Sequence, residues 1–184
     1  MKYKKQKLKG KVKCPCCNAF MGTNDYSSLK QSYDTLVEQR GAHYVTLKIA
    51  INYLNWACDF CLKRKSAIIA KPLVQNYYGY DLPYFMYFDK ERKCQDCSKD
   101  FIFSKEEQKH WYETLKFYVS AQAIHCKDCR KDRRQLKAQN NRIMELTAKD
   151  TLSKEELLEL SKIYTEIGAI EKANRYKNKA KKAT

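Results

Sequence analysis

The sequence contains four C-x-x-C pairs, and their spacing constrains the fold more than any other feature. A C-x-x-C turn points two thiolates at one centre, and two such turns complete a tetrahedral sulfur shell around zinc, with Zn–S bonds of about 2.3 Å. Joining neighbouring pairs gives two sites, and hence two Zn²⁺ ions per chain. The predicted ligands are Cys14, Cys17, Cys58 and Cys61 in the first site and Cys94, Cys97, Cys126 and Cys129 in the second.

Other roles for these cysteines fit the pattern less well. A redox dithiol usually occurs once, at a strand-to-helix junction, whereas four spaced pairs occur here. Disulfides are disfavoured because the lysine-rich N-terminus lacks the apolar segment of a secretory signal. An iron–sulfur cluster also uses four cysteines and stays an alternative to zinc. The ninth cysteine, Cys16, lacks the knuckle spacing to Cys14, so we expect a bystander that could replace Cys14 or Cys17.

The charge of the chain favours a polyanionic partner. Its 184 residues include 37 basic and 21 acidic ones, for a formal net charge of +16. A surplus of this size is typical of nucleic-acid-binding proteins. The basic charge is concentrated in an N-terminal arm, residues 1–13, and after the closing pair of each site. No apolar run reaches the roughly 18 residues that a membrane span requires, so we expect a cytoplasmic protein without membrane contact.

Capping and periodicity patterns predict an α+β fold. Ser28, Ser104 and Ser153 each begin an S-x-x-E/Q box ahead of a helical pattern, and "FIF" at 101–103 reads as a short strand. We predict two small zinc-ribbon-like modules with short β-hairpins and covering helices, followed by a C-terminal helical hairpin. The chain is predicted to divide into five segments: a disordered basic arm at 1–13, a first module at 14–65, an aromatic connector at 66–88, a second module at 89–133, and a helical connector with the hairpin at 134–184.

The two modules are predicted to be a diverged tandem repeat. "YDTL" at 33–36 follows the first knuckle at nearly the distance at which "YETL" at 112–115 follows the third, and both modules end in a C-x-x-C pair followed by cations. The connector between them is dense in tyrosine and phenylalanine. We interpret it as packing between two modules that have little core of their own, with base stacking by exposed tyrosines (Tyr77, Tyr78 and Tyr80) as the alternative.

Residues Asp89 to Arg133 resemble the probable zinc-ribbon domain family of bacterial proteins. The matching positions are Cys94, Asp96, Cys97, Phe101, Phe103, Glu107, Gln108, Tyr112, Cys126, Cys129 and Arg130. The resemblance implies a four-cysteine zinc site at Cys94, Cys97, Cys126 and Cys129. One departure is Ser98, where such ribbons usually carry glycine, and it puts the local turn in question.

The last segment is similar to one tetratricopeptide unit. Its packing positions would be Leu157, Leu160, Tyr164, Gly168, Ala173 and Ala180. Such repeats bury their faces against neighbours, so a single copy would either dock onto the modules or be an ordinary helical hairpin.

These observations predict a binding protein in which zinc has a structural role. Four thiolates leave no open coordination position for water, and neither a zinc-deaminase signature nor a glycine-rich phosphate loop occurs, so we expect no enzymatic activity. The leading hypothesis is binding of nucleic acid, with RNA or the ribosome favoured, and the alternative is a protein–protein adaptor. The predicted nucleic-acid contacts are Lys63, Arg64, Lys65, Arg130, Lys131, Arg133 and Arg134.

Overall fold

The α+β class is confirmed by the computed structural model of the chain, which combines small hairpins with helices. The structure describes residues 12–41, 46–53, 55–78 and 81–183. It divides into an N-terminal unit, Met1–Ile124, and a C-terminal unit, His125–Thr184. The predicted basic arm lies outside the described residues except for Val12 and Lys13.

Six short strands form three antiparallel hairpins in the N-terminal unit. Strand β1 (Val12–Lys13) pairs with β2 (Phe20–Met21), β3 (Ala67–Ile69) with β4 (Met86–Phe88), and β5 (Lys90–Lys93) with β6 (Asp100–Phe103). The predicted strand at 101–103 is therefore part of β6. Hairpins of this size are marginal by themselves and need packing or a metal to persist.

Seven helices occur in the described residues. They are α1 (Ser27–Arg40), α2 (Leu47–Asn52), α3 (Asp59–Lys63), α4 (Lys105–Lys109), α5 (Lys127–Thr147), α6 (Lys154–Glu166) and α7 (Ile170–Lys182). Short 3₁₀ and π segments occur at Pro72–Val74 and His110–Thr114.

The predicted caps are correct for two of these helices. Ser104 accepts a hydrogen bond from the backbone N–H of Glu107, and Ser153 forms a complete capping box with Glu156. The box predicted at Ser28 does not form: α1 begins at Ser27, and its first amides bind the side chain of a residue distant in sequence, Asp59. A tertiary contact has replaced the local one.

Strand β4 separates the two hydrophobic clusters of the N-terminal unit. Met86 and Phe88 belong to the cluster with Leu29, Leu36 and Trp56, whereas Tyr87 belongs to the cluster with Phe103 and Tyr112. Successive strand residues point to opposite faces, so one short strand can serve two cores. The packing interpretation of the aromatic connector therefore holds for this part of it. Tyr78 is 81% exposed, and Tyr80 lies outside the described residues.

The C-terminal unit contains α5, α6 and α7 around a core of its own. Leu146 of α5 packs with Leu160 and Tyr164 of α6 and with Ala173 of α7. Helices α6 and α7 meet at Gly168, whose φ of 79° is the left-handed conformation that ends a helix at glycine. The predicted C-terminal helical hairpin is thus present. None of the helices in the described residues is long and apolar enough to cross a membrane.

The core of the C-terminal unit predicts that two leucines of α6 differ sharply in their contribution to stability. Leu160 is fully buried and Leu158 is 48% exposed. Leu160→Ala should lower the free energy of unfolding by about 2–5 kcal/mol, because it removes buried methyl groups and leaves a cavity. Leu158→Ala should change it by less than about 0.5 kcal/mol. Urea denaturation followed by circular dichroism measures both, and equal losses would contradict the assigned core.

Candidate metal centres

The first cysteine pair of each module lies in the turn of a β-hairpin. Cys14 directly follows β1, and Cys94 directly follows β5. In both turns the first cysteine donates its backbone N–H to the residue five positions later, over 2.9 Å, and accepts from the residue four positions later. This second residue, Asn18 or Ser98, has φ near 60°. Asparagine tolerates this left-handed conformation better than most residues, and Ser98 keeps the same turn without glycine.

The closing pair of each module lies at the beginning of a helix. Cys58 is the N-cap of α3 and Cys126 is the N-cap of α5, so Cys61 and Cys129 lie in the first turns. The positive end of the helix dipole and the free amides of the first turn stabilise a thiolate there. Both modules therefore have the same order of hairpin, helix and closing helix turn, as the predicted repeat requires.

The sulfur atoms meet in the two predicted groups. In each group all four lie within 4.8 Å of one another. In the first group the Sγ of Cys58 is 3.9 Å from that of Cys17 and 3.5 Å from that of Cys61. A tetrahedron with Zn–S bonds of about 2.3 Å has sulfur–sulfur edges of about 3.8 Å. The donor chemistry and the spacing fit one zinc ion at each group, and two per chain.

The protonation of the first group explains why a cation is needed there. Burial raises the pKa of Cys58 and of Cys61, so these thiols resist ionisation. Burial alone would also raise the pKa of Cys17, but a hydrogen bond with the backbone of Ala19 and contacts with neighbouring thiols lower it. Zinc supplies the positive charge that lets all four become thiolates. The backbone N–H of Cys58 already lies 3.3 Å from the Sγ of Cys14 and donates to it.

Cys16 lies outside the four-sulfur group. Its Sγ is directed at the backbone carbonyl of Ser66, 3.8 Å away, and burial raises the pKa of its thiol. The described geometry thus matches the expected bystander.

Asp59 connects the first metal group to helix α1. Its carboxylate accepts from the backbone N–H of Ser27 at 2.8 Å, from the hydroxyl of Ser27, and from the backbone N–H of Ser28 at 3.0 Å. Burial alone would raise the pKa of Asp59, but these hydrogen bonds lower it below its usual value. Since Asp59 lies between Cys58 and Cys61, the cap of α1 also fixes the closing turn. No local pattern indicates this contact, because its partners are more than thirty positions apart in the sequence.

Several residues that match the zinc-ribbon family pattern hold the β5–β6 hairpin in place. Phe103, Gln108 and Tyr112 are fully buried. The side-chain amide of Gln108 donates to the backbone carbonyls of Phe88 and Phe103, at 2.7 and 2.8 Å. The hydroxyl of Tyr112 donates to the carbonyl of Ala121 at 2.7 Å. These contacts join β4, β6 and the following segment, which fixes the hairpin that holds Cys94 and Cys97.

Comparison with known proteins identifies the second module as a zinc-binding type. Residues 88–138 match the sequence model of the family described as "Probable treble clef domain". This match, over a little more than a quarter of the chain, agrees with the predicted four-cysteine zinc domain at Asp89–Arg133, with a treble clef named in place of the ribbon. No curated protein and no solved structure matches the chain significantly. The resemblance of the C-terminal hairpin to a tetratricopeptide unit stays a prediction.

The predicted nucleic-acid contacts lie directly after the two closing pairs. Lys63 ends α3 and is followed by Arg64 and Lys65, and all three are exposed. The other four lie in the first two turns of α5, where Lys131, Arg133 and Arg134 are exposed and Arg130 is half-buried. The predicted contacts do not include the cations of α7, which form the basic run "KANRYKNKAKK" in the sequence.

The assignment of ligands predicts the zinc content of two cysteine variants. Cys61→Ser should reduce bound zinc from two ions to about one per chain, because it removes a buried ligand of the first group. Cys16→Ser, the matched control, should retain two. Metal analysis of the purified proteins measures both, and loss of an ion from the control would overturn the assignment.

The Asp59 cap predicts a loss of stability at neutral pH. Asp59→Ala should lower the free energy of unfolding by about 0.5–2 kcal/mol, the usual effect of removing an N-cap. Its folded pKa lies below the unfolded value of about 3.9, so its contribution is complete above that pH and is lost as the pH falls through the folded pKa. Measurement at pH 7 therefore records the whole effect. Asp34→Ala, at an exposed position of α1, should change stability by less than about 0.5 kcal/mol.

Proposed function

We propose that this protein is a cytoplasmic nucleic-acid-binding protein, with RNA or the ribosome as the favoured partner. Two structural zinc groups hold cationic segments in place, and these segments neutralise phosphates. The proposed contacts are Lys63, Arg64, Lys65, Arg130, Lys131, Arg133 and Arg134.

The observation that carries this proposal is the exposure of the first half of α5. Every residue from 131 to 138 is exposed, over more than two helical turns. The helix is therefore accessible on all sides in this segment, directly after the turn that holds Cys126 and Cys129. A helical segment that is exposed all round gains little from burial and has to be stabilised in another way.

The charge pattern of this segment favours a polyanion as the stabilising partner. Arg130 lies three and four positions before Arg133 and Arg134, and Lys137 lies four and three positions after them, so these side chains share one face. Like charges at these spacings destabilise a helix by about 0.2–0.5 kcal/mol per pair. A row of phosphates would convert these repulsions into attractions. The expected binding depends on salt, because each neutralised phosphate releases counterions.

The first module presents a smaller cationic segment at the equivalent place. Lys63, Arg64 and Lys65 follow Cys61, and the guanidinium of Arg64 lies 4.9 Å from the ring centroid of Phe60. This cation–π contact favours one position for the charge of Arg64. Nothing in these segments forms a code for base edges, so the proposed recognition is of shape and backbone. A four-thiolate shell leaves zinc no open position, which supports a binding role rather than catalysis.

One observation favours the alternative of a protein adaptor. An open pocket of about 880 Å³ in the N-terminal unit is lined by Phe60 and Ile69, which are 56% and 55% exposed. Exposed apolar side chains around a concavity are typical of protein contacts. Recovery of the protein from cells with and without nuclease distinguishes the two functions, because a protein partner would survive the treatment.

Nucleic-acid binding predicts a charge-specific loss of affinity. Fluorescence anisotropy with short RNA and DNA duplexes should show binding that weakens steeply with salt. A basic-segment variant, Lys63→Gln, Lys65→Gln, Lys131→Gln and Arg134→Gln, should reduce the slope of log K against log salt by about one per lost phosphate contact. The control removes four exposed charges elsewhere, Lys30→Gln, Lys48→Gln, Lys109→Gln and Lys162→Gln. Salt-independent binding, or none by the wild type, would overturn the proposal.

A further inference from the structure

Helix α7 carries a dense and exposed set of cations that the proposed function does not yet use. Its thirteen residues include six basic side chains and one acidic residue, Glu171. The basic residues are all exposed: Lys172, Arg175, Lys177, Lys179, Lys181 and Lys182.

Three of the four glutamates of α6 bind side chains of α5 or of the turn that follows it. Arg142 forms a bidentate pair with Glu159, at 2.7 and 2.8 Å, and Lys149 pairs with Glu156. Gln139 donates to Glu166 at 2.7 Å. Hydrogen bonds from Arg142 and from Lys149 lower the pKa of Glu159 and Glu156 respectively, so both acids are held in their charged form at neutral pH.

The cations of α7 take part in none of these pairs. Within the described ranges 12–41, 46–53, 55–78 and 81–183, none of the six forms an ion pair. By contrast, Arg130 and Arg133 of α5 do interact with other groups of the protein. Helix α7 therefore carries six exposed cations without an ion pair in the described part of the C-terminal unit.

Four of these cations form a stripe along the helix. Lys172, Arg175, Lys179 and Lys182 follow one another at intervals of three, four and three, so they lie within roughly 80° of arc and span about 15 Å. We call them the α7 stripe. Adjacent members are about 5–6 Å apart, which suits successive phosphates of one strand.

Two members of the stripe are positioned by aromatic rings. Tyr164 and Tyr176 stack with centroids 5.4 Å apart and planes 8° from parallel. The ammonium of Lys172 lies 5.5 Å from the Tyr164 centroid, and that of Lys179 lies 5.5 Å from the Tyr176 centroid. These contacts reduce the freedom of two long side chains, so less entropy remains to be lost on binding.

We propose that the α7 stripe binds the phosphate backbone of a nucleic-acid duplex, as a contact surface additional to α5. This inference rests on the proposed function and assigns it a second site. A duplex is favoured over a single strand because single strands are bound by exposed aromatic platforms. Here Tyr164 is buried and Tyr176 is stacked on it, so neither ring is free for a base. Recognition by the stripe is expected to be independent of base sequence.

The test uses the full-length zinc-bound protein and a stripe variant, Lys172→Gln, Arg175→Gln, Lys179→Gln and Lys182→Gln. The probes are 20-base-pair RNA and DNA duplexes, the matching single strands, and vesicles that contain anionic phosphatidylserine. The stripe variant should bind both duplexes about tenfold more weakly or worse, with the salt slope reduced by about 3–4. The four-lysine control above should keep the wild-type slope. Glutamine is a good helix former, so the helical content should not change.

The outcomes separate failure of this inference from failure of the proposed function. If the wild type binds no duplex, both are overturned. If the stripe variant behaves like the control while the basic-segment variant loses affinity, the α7 inference is wrong and the proposed function stands. If the stripe variant loses vesicle binding but keeps duplex binding, the stripe is a membrane contact and the inference is overturned. Selective loss of duplex binding supports it.

Discussion

The convergence of four cysteine sulfurs within 4.8 Å, twice in one chain, is the constraint on which the other local structure depends. Thiolates at that distance repel one another unless a cation shares their charge, and buried thiols resist ionisation without one. Zinc binding and folding are therefore one process in these modules. Three local features place the sulfur atoms around a common centre: the hairpin turn, the left-handed residue in that turn, and the helix that begins at a cysteine.

The two centres are also connected to the packing around them. In the first module the residue between the closing cysteines caps α1, so a ligand turn and a covering helix depend on the same carboxylate. In the second module Gln108 and Tyr112 bind backbone carbonyls around the hairpin. Metal ligation replaces only part of a conventional core, and buried aromatic side chains supply the rest.

Sequence reasoning could predict the features that short-range chemistry determines. The C-x-x-C spacing predicts both ligand sets, and asparagine after the first knuckle predicts its left-handed backbone. It could not predict the contact of Asp59 with Ser27 and Ser28, because nothing local indicates a partner so distant in sequence. The same limit applies to charge. The basic run of α7 is visible in the sequence, but only the structure shows that Glu159 and Glu156 of α6 pair with Arg142 and Lys149 instead.

Strand β4 limits where this chain can be divided. Its three residues contribute to both clusters of the N-terminal unit, with Met86 and Phe88 on one side and Tyr87 on the other. If the modules arose by duplication, the connector has since made them an obligate pair. A chain divided before this strand would leave the first core without Met86 and Phe88, and one divided after it would leave the second core without Tyr87. The two modules therefore have to be expressed together.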